Sequence, residues 1–341
     1  MHEYVQAPEQ DVVIASRVRL SRNYDDIPFS PRLSKESAEE VIRRTADTVF
    51  HGEHGDAYTL LRMDDLEQDA RSRLVEHHMI SYDLLKYSSR AAAMITAAGT
   101  ISIMLNEEDH IRFQGMLPGL QLEHCADMAF RLDEYVGDRY PFAFDEQWGF
   151  LTAYPANTGT GMRCSAILHL PALSRAGQIA AVMQAVAKLG LTIRGLYGEG
   201  SEARGHLYQI SNQATLGRSE EDIVRTMSAA IQQVAGHERT MRENAEKKDM
   251  MQLQDMLLRS WGEMMYARLM PVKEFMQRYS DVRYAASMGY LHAPIPALDA
   301  IMMDLQPGSL GVRAGKLISA RESDILRAEV LREEMRNIVS E

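Results

Sequence analysis

The pattern of apolar and polar residues in the first two thirds of the chain predicts an antiparallel β-sheet. Residues 12–20 begin apolar and then alternate, and residues 91–116 contain three short apolar runs separated by a glycine and by the polar residues 107–110. Short runs joined by such turns are typical of a meander. Because the alternation in 12–20 has a period of two, Arg17 and Arg19 are predicted to point to the same face of the sheet.

Two amphipathic segments are predicted to form helices that cover this sheet. Apolar residues recur every three or four positions in residues 122–136 and 179–189, which is the spacing of one helix face. Residues 150–170 predict another strand pair, interrupted by the turn sequence PANTGTG. The glycine-rich segment 194–217 predicts a loop framed by strands.

The last third of the chain is predicted to be helical throughout. Strand patterns cease in the charged segment 237–249, and the periodicity from residue 252 onward is that of helices interrupted by prolines. The predicted fold class is therefore α+β: an antiparallel β-sheet flanked by helices, followed by an all-α C-terminal domain. The predicted domains are residues 1–235 and 236–341.

Composition narrows the class of protein. The 341 residues are 45% hydrophobic, which suits two domains with sizeable cores, and the formal charge of −11 argues against direct nucleic-acid binding. Two cysteines, Cys125 and Cys164, are too few for a disulfide framework and are predicted to be buried free thiols. With no signal-like start and no apolar run of membrane-spanning length, the sequence predicts a cytoplasmic protein without a membrane segment.

Arginines are the candidate phosphate ligands, because the familiar nucleotide motifs are absent. The sequence has no Walker A motif, no protein-kinase HRD or DFG motif, and no G-x-G-x-x-G after a strand. Guanidinium groups bind phosphate oxygens in pairs and keep their charge, so several arginines beside converging loops can hold a triphosphate. A single arginine is more often a solvated surface residue, so the evidence is the set of five. The candidates are Arg17, Arg19, Arg112, Arg163 and Arg194.

Acidic residues are the candidate ligands for a cationic group bound beside these arginines. The turn NEEDH, residues 106–110, follows a predicted strand, so Glu107 and Glu108 are expected to face opposite ways and only one can enter a cleft. A second carboxylate, Glu199, lies in the glycine-rich loop. Two carboxylates can grip a guanidinium and accept its proton, which matters because a cation must be aligned and partly neutralised before it attacks phosphorus. A charged turn between strands is the alternative interpretation of NEEDH.

Four segments together resemble the ATP:guanido phosphotransferase family. They are SRVRLSRN, LNEEDHIRFQ, PANTGTGMRCS and RGLYGEGSEARGHLYQISNQATLG, in that order. The form of the last segment, and C-terminal sequences such as SDVRYAASMGYL and LQPGSL, resemble the bacterial protein arginine kinases of the McsB type. The resemblance spans nearly the whole chain, and it implies the guanido-kinase catalytic fold for the sheet region.

The resemblance also implies roles for individual residues. The five arginines listed above are implied as ligands of the ATP phosphates, with Mg²⁺ accompanying ATP and no dedicated metal site. Glu108 is implied as the substrate-gripping carboxylate and base, and Glu199 as the loop carboxylate that closes on the acceptor. The acceptor is implied to be an exposed arginine of a protein, marked for a Clp-type chaperone-protease. A homodimer, a possible zinc-finger activator of the McsA type, and a C-terminal phosphoarginine-sensing site at Asp324 and Arg327 are further implications.

Two positions depart from the family pattern. Tyr154 stands where the family usually has a cysteine before a proline, which puts the handling of the acceptor in doubt. Ser323 replaces the first arginine of the sensing motif R-D-x-x-R-A, while Asp324 and Arg327 remain. Two alternatives stay open: a kinase of small guanidino compounds, which would use the same chemistry, and a non-catalytic regulator that binds phosphoarginine, for which Tyr154 would mark a decayed active site.

Overall fold

The computed structural model describes residues 6–52, 55–196 and 203–338. These ranges contain ten strands. They are β1 (Val13–Arg22), β2 (Tyr58–Arg62), β3 (Ala92–Thr96), β4 (Ile101–Leu105), β5 (Ile111–Pro118), β6 (Phe144–Asp145), β7 (Gly149–Phe150), β8 (Met162–His169), β9 (Leu191–Gly195) and β10 (Leu207–Asn212).

Eight of these strands form one antiparallel sheet in the order β2-β3-β4-β5-β1-β8-β10-β9. The predicted meander is confirmed as β3, β4 and β5, and β9 and β10 frame the glycine-rich segment as predicted. The predicted strand pair around PANTGTG is only half right. The part after the turn is β8, but the part before it contributes only Phe150 to a strand. Phe150 belongs to a separate hairpin, β6–β7, in which Asp145 accepts the backbone N–H groups of Gln147 and Trp148 and closes a tight turn.

Helices cover the sheet and make up the rest of the described chain after β10. They are α1 (Lys35–Phe50), α2 (Gln68–Glu76), α3 (Leu122–Gly137), α4 (Pro171–Arg175), α5 (Ile179–Ala187), α6 (Glu220–Lys248), α7 (Met250–Tyr266), α8 (Val272–Ser287), α9 (Ile295–Asp304), α10 (Pro307–Ala314) and α11 (Ala320–Ile338). The two predicted covering helices are confirmed as α3 and α5. Since α6 runs unbroken through residues 235 and 236, the domain boundary at that position stays a prediction.

The two faces of the sheet are covered differently. On one face, even-numbered β1 residues such as Val18 and Leu20 pack with α1, α3, α5 and α6 in the largest apolar cluster. On the other face, the helical region α7–α11 packs against Ala15 and Ile167, and a smaller cluster around Met104 covers strands β2–β4. The middle of this second face, on β1, β5 and β8, carries charged residues and remains open as a cleft.

Both cysteines lie in the core, as predicted. Cys125 and Cys164 are buried free thiols. Burial raises the pKa of Cys125 to about 12 and also raises that of Cys164. Neither thiol is therefore a nucleophile at neutral pH, because the thiolate is the reactive form.

A buried polar network joins the sheet to the helical region. Arg283 of α8 is fully buried and its Nε donates to Asp299 Oδ1 at 2.7 Å. Its two amino groups donate to the backbone carbonyls of Asp11 at 2.9 Å and Gln10 at 2.8 Å. The same guanidinium donates to His169 Nδ1 at 3.3 Å. One cation thus ties the segment before β1, the end of β8 and α9 together.

Burial keeps several histidines neutral. Burial and the charges of Arg283 and Arg242 hold the pKa of His169 well below 6.5. Burial and the nearby charge of Arg17 lower the pKa of His78 to about 3, and burial with Arg175 lowers that of His206 to about 4. In the unfolded chain each of these side chains regains a pKa of about 6.5.

The protein is predicted to lose stability as pH falls from 6.5 towards 4. The pKa values of these histidines are depressed in the folded protein, so their contribution to stability is complete above pH 6.5. Below pH 6.5 the histidines of the unfolded chain become protonated while those of the folded chain stay neutral, and this contribution is lost. We expect the free energy of unfolding, measured by urea denaturation, to fall by about 1.4 kcal/mol per pH unit for each proton that only the unfolded chain binds.

His169→Gln checks the assignment of this slope. A neutral side chain at this position removes one titrating group, so the slope is expected to decrease by about one proton relative to the parent chain. Glu76 and Asp133, whose pKa values are raised by burial, act in the opposite sense and limit the slope. A free energy of unfolding that stays constant between pH 6.5 and 5 would contradict the prediction.

Candidate active site

The five candidate arginines lie on one face of the sheet. Residues directly opposite each other on paired strands share a face, and Arg19 lies opposite Arg163 while Arg112 lies opposite Ser21. Arg17 lies opposite Ser165 on the same side of β1, two residues from Arg19. Arg194 lies opposite Gln209 of β10, and Gln209 in turn lies opposite Ile167 of β8. Arg194 is therefore on the same face of the sheet. The prediction that Arg17 and Arg19 point the same way is confirmed.

Three of the five arginines converge on one cleft of about 190 Å³. Arg17 and Arg194 do not line it. Arg17 lies one step further along β1 and donates to Gln209 Oε1 at 3.0 Å, and Arg194 is exposed on the edge strand β9. The residues that line the cleft are Arg19, Ser21, Asp83, Glu108, Arg112, Asn157, Gly161 and Arg163.

Burial and repulsion between neighbouring arginines disfavour the charged forms of Arg19 and Arg163 at the floor of the cleft. Burial and repulsion from Arg17 and Arg112 lower the pKa of Arg19 well below 12.5, and burial and repulsion from Arg194 and Arg112 lower that of Arg163. Guanidinium groups nevertheless stay protonated in proteins. The lowered pKa therefore reports an electrostatic cost that a bound anion relieves. Among the described residues, the buried Nε of Arg19 has no hydrogen-bond partner, which leaves a donor for such an anion.

The NEEDH turn is held in a conformation that separates its two glutamates. Asn106 has a left-handed backbone with φ of 60°, which asparagine tolerates better than most residues. Its side-chain amide donates to the carbonyls of Ala38 at 2.9 Å and Arg90 at 3.0 Å, and its N–H donates to the carbonyl of His110. The turn is thus anchored to α1 and to the segment before β3.

Only one of the two glutamates faces the cleft, as predicted. Glu107 is fully buried, accepts a hydrogen bond from Ser81 and forms an ion pair with Arg112. Glu108 is partly exposed and lines the cleft, where its Oε2 accepts from Arg112 at 3.0 Å. Although burial opposes the charge of Arg112, the carboxylates of Glu107 and Glu108 outweigh it and raise its pKa. Arg112 therefore fixes the orientation of Glu108.

The loop at 152–161 forms the other wall of the cleft and is held by residues that sequence reasoning did not single out. Asp109 accepts from the N–H of Ala153 at 2.8 Å and from Asn23 at 2.8 Å.

The segment at the end of β10 is a second anchor. The hydroxyl of Thr215 donates to the carbonyl of Thr158 at 2.7 Å, and Asn212 accepts from the N–H of Cys164. Asn212 and Thr215 belong to the segment SNQAT, so the motif that ends the glycine-rich segment locks this loop.

His78 is another neighbour of the arginines that sequence reasoning missed. It lies in the turn after α2 with a left-handed backbone, φ of 58°, and its carbonyl accepts from Gln114 at 2.8 Å. Gln114 lies opposite Arg19 on β5. The only sequence signal was its place beside His77 after a polar helix, which is too weak to separate it from a surface histidine.

The remaining predicted residues lie elsewhere. Glu199 falls outside the described residues. Asp324 and Arg327 lie on α11 in the helical region, away from the cleft. Arg327 is buried, and its guanidinium donates to the carbonyls of Leu305 at 2.8 Å and Met270 at 2.7 Å, and to Asp324 at 2.9 Å.

The cleft therefore combines a cationic floor with an anionic rim. Arg19, Arg112 and Arg163 suit phosphate oxygens, and Glu108 with Asp83 suits a cation placed beside them. Within residues 6–52, 55–196 and 203–338, no group of three or more potential ligands is arranged to hold a metal ion. The helices in these ranges include no candidate for a membrane-spanning segment.

Family models match both parts of the chain. Residues 39–241 match the ATP:guanido phosphotransferase C-terminal catalytic domain, and residues 250–341 match the protein-arginine kinase McsB C-terminal domain. The name of the first family gives ATP as the phosphoryl donor and a guanido group as the acceptor.

Similar proteins agree with these models. A protein-arginine kinase of Caldanaerobacter subterraneus is 39% identical over 94% of this chain and 96% of its own length. A protein-arginine kinase of Geobacillus kaustophilus is 41% identical over 97% of this chain and 92% of its own length.

Solved structures share the fold. The duplicated taurocyamine kinase of Schistosoma mansoni superposes with a TM-score of 0.62 and 24% identity over 71% of this chain. This chain spans about 35% of that longer kinase. The chain belongs to the ATP:guanido phosphotransferase family, in the branch whose named relatives are protein-arginine kinases.

Proposed function

We propose that this protein is an ATP-dependent kinase that phosphorylates arginine side chains of proteins. The observation that carries the proposal is the cleft, in which three arginines lie beside Glu108 and Asp83. A phosphate donor and a guanidinium acceptor have opposite charges, and a site that binds both must present both signs within one cavity.

On the donor side, Arg19, Arg112 and Arg163 bind the ATP phosphates and stabilise charge that develops during transfer. Arg17 and Arg194, on the same face but outside the cleft, extend the cationic surface towards the rest of the nucleotide. Mg²⁺ is carried by the phosphates and water, since this ion rarely needs an all-protein cage. With Glu108 assigned to the acceptor, Asp83 is the cleft carboxylate that would be available to it, and its chemistry there would be to neutralise the β- and γ-phosphates.

On the acceptor side, Glu108 orients the guanidinium and accepts its proton. A nitrogen of the arginine side chain forms a bond to the γ-phosphorus as the bond from that phosphorus to the ADP oxygen breaks. The nitrogen loses one proton to Glu108, and the products are phosphoarginine and ADP. Glu199 is proposed to grip the acceptor from the glycine-rich segment, as the sequence predicted. Positioning and electrostatics supply most of the rate enhancement in such reactions.

A direct comparison of acceptors tests the proposal. With labelled ATP, we expect transfer to an arginine-rich protein to be at least about 10-fold faster than transfer to free arginine at an equal guanidinium concentration, because a protein acceptor makes additional binding contacts that free arginine lacks. Label on free arginine alone would support a small-molecule kinase. Binding of a phosphoarginine peptide without any ATP turnover would support a non-catalytic regulator.

The proposal also covers the proteins that this chain binds. Homodimerisation through the helical region is supported by apolar side chains exposed on the outer surface of α7, namely Met250, Met251 and Leu258. Protein substrates with exposed arginines follow from the acceptor chemistry. A zinc-finger activator of the McsA type and delivery to a Clp chaperone-protease remain expectations from the family resemblance.

Phosphoarginine sensing by Asp324 and Arg327 also stays a prediction. A phosphate bound by Arg327 must join or replace its bonds to Leu305 and Met270. We expect Arg327→Ala to lower the free energy of unfolding by about 2–3 kcal/mol, because charged hydrogen bonds in the interior are lost. Asp324→Asn keeps the side-chain shape and removes the charge, so it separates a role in phosphoarginine sensing from a role in stability.

Calorimetric titration with a phosphoarginine peptide provides the measurement for Asp324→Asn. A sensing site predicts altered affinity with little change in stability, because Asp324 is partly exposed. Unchanged affinity in both variants would rule out sensing at this pair.

A further inference from the structure

The segment SRVRLSRN contains a third arginine, Arg22, to which the proposed reaction gives no role. Arg22 lies opposite Ile111 of β5, so its side chain points to the helix-covered face of the sheet, away from the cleft. It is 1% exposed, and its Nη2 donates to Asp133 Oδ2 of α3 at 2.7 Å. A buried ion pair is weak evidence for a purely stabilising role, because removing two charges from water can cost more than their attraction gains.

One amino group of Arg22 links two backbone segments at the edge of the cleft. Its Nη1 donates to the carbonyl of Ser21 and to the carbonyl of Thr160, each at 2.9 Å. The N–H of Ser21 in turn donates to the carbonyl of Gly161 at 2.9 Å. Ser21 and Gly161 both line the cleft. Arg22 therefore holds the end of β1 against the loop that leads into β8, from the side opposite the cleft.

Gly161 shows how closely this loop approaches the guanidinium. It has a left-handed backbone, with φ of 64°, and a Cβ added to it would lie 2.6 Å from Arg22 Nη1 and 2.6 Å from the carbonyl oxygen of Ser21. Only glycine permits this approach. Two residues later, Arg163 lies opposite Arg19 in the floor of the cleft. The contact between the loop and Arg22 therefore helps to set where β8 places Arg163.

The guanidinium of Arg22 is itself held in place by the hairpin β6–β7. Its carbon atom lies 3.5 Å from the centroid of the Phe150 ring, and a cation is attracted to such an aromatic face. The backbone of Phe150 exchanges two N–H to carbonyl hydrogen bonds with Gly159, at 2.8 and 3.2 Å. The hairpin that covers the guanidinium and the loop that accepts its hydrogen bond are thus bonded to each other.

We propose that Arg22 is a positioning residue that holds residues 159–161 in the place where Gly161 and Arg163 bind the phosphates of ATP. This inference rests on the proposed function and assigns a role to a side chain that does not itself line the cleft. Arginine suits this role because its planar fork donates to two carbonyls and a carboxylate at once, while its flat face packs on an aromatic ring. A lysine ammonium has neither the fork nor the flat face.

Arg22→Lys tests the proposal, with Arg242→Lys in the full chain as the matched control. Arg242 of α6 is similarly buried, at 2% exposed, and does not line the cleft. It makes the same three kinds of contact, since it pairs with Glu238 at 2.8 Å, donates to the carbonyl of His169 and lies over the ring of Tyr284. Both substitutions are expected to lower the free energy of unfolding, so rates are measured where urea denaturation shows each variant folded.

The two variants are expected to differ in their use of ATP. Arg22→Lys is expected to raise KM for ATP about 10-fold, the effect of losing one charged hydrogen bond to the phosphates. KM for an arginine-containing peptide is expected to change less than about 3-fold. Arg242→Lys is expected to leave both KM values within about 2-fold of the parent chain, because the two sites are independent. Phe150→Leu removes the ring but keeps the carbonyl bonds of Arg22, and we expect it to raise KM for ATP about 3-fold.

The outcomes separate this inference from the proposed function. If the parent chain phosphorylates the peptide and Arg22→Lys keeps the parent KM for ATP, the positioning role is wrong and the kinase assignment stands. An equal rise in Arg242→Lys would also overturn the role, because general destabilisation would then be the cause. If Arg22→Lys does not fold, an unchanged KM for ATP in Phe150→Leu overturns it. If the parent chain transfers no phosphate to arginine, the proposed function fails, and calorimetric titration with ATP still tests Arg22 by the same change in affinity.

Discussion

Glu108→Gln is expected to lower kcat for phosphoryl transfer to arginine by about 10²–10³-fold. The substitution keeps the shape of the side chain and its acceptor towards Arg112, which donates at 3.0 Å, but removes the basic carboxylate. The guanidinium then has no group at this position to take its proton or neutralise its charge. ATP affinity is expected to stay within about 3-fold, because the cationic floor of the cleft is intact.

Arg163→Gln is the matched comparison in the same cleft. This variant removes a half-buried cation from the floor, so we expect ATP affinity to fall about 10- to 100-fold, the effect of one charged hydrogen bond. Equilibrium binding of ATP and initial rates with a protein acceptor distinguish the two variants. If Glu108→Gln retained more than about a third of the parent kcat, its role as the proton acceptor would be wrong.

Arg283→Met is expected to lower the free energy of unfolding by about 3–5 kcal/mol, because removing one partner leaves the other buried charge uncompensated. Asp299 would lose both of its bonds to Arg283, at 2.7 and 3.3 Å, and the carbonyls of Gln10 and Asp11 would lose their donors. Urea denaturation followed by circular dichroism measures the change. The loss is expected to affect the sheet and the helical region together.

Two further variants locate the cause of that loss. Arg283→Met combined with Asp299→Leu removes the whole ion pair, so it is expected to recover part of the stability. Arg259→Met breaks an exposed pair with Asp255 on α7, and we expect it to cost less than about 1 kcal/mol. Equal losses in Arg259→Met and Arg283→Met would contradict the role assigned to burial.

Local pattern was sufficient to predict much of the fold. The period-two alternation in β1 correctly places Arg17 and Arg19 on one face, and helical spacing correctly identifies α3 and α5. The hairpin β6–β7 escaped prediction because each strand has only two residues, too short for any periodicity.

Long-range register limited the prediction of the site. Sequence alone does not fix how β1, β8 and β9 align, although that alignment puts Arg19 opposite Arg163 and leaves Arg194 on the sheet edge. Contacts across the fold, such as that between Thr215 and Thr158, likewise have no local pattern. Arg327 illustrates a different limit. Its i,i+3 spacing from Asp324 is compatible with the ion pair that the structure contains, but no local pattern indicates the carbonyls that occupy the rest of its guanidinium.

The chemical identity of the phosphorylated residue tests the central claim most directly. The protein would be incubated with labelled ATP and an arginine-rich protein, with Glu108→Gln as the blank. A phosphorus–nitrogen bond predicts label that is lost in acid, survives in base, and maps to arginine in tandem mass spectra. Label that survives acid and maps to serine, threonine or tyrosine would contradict the account.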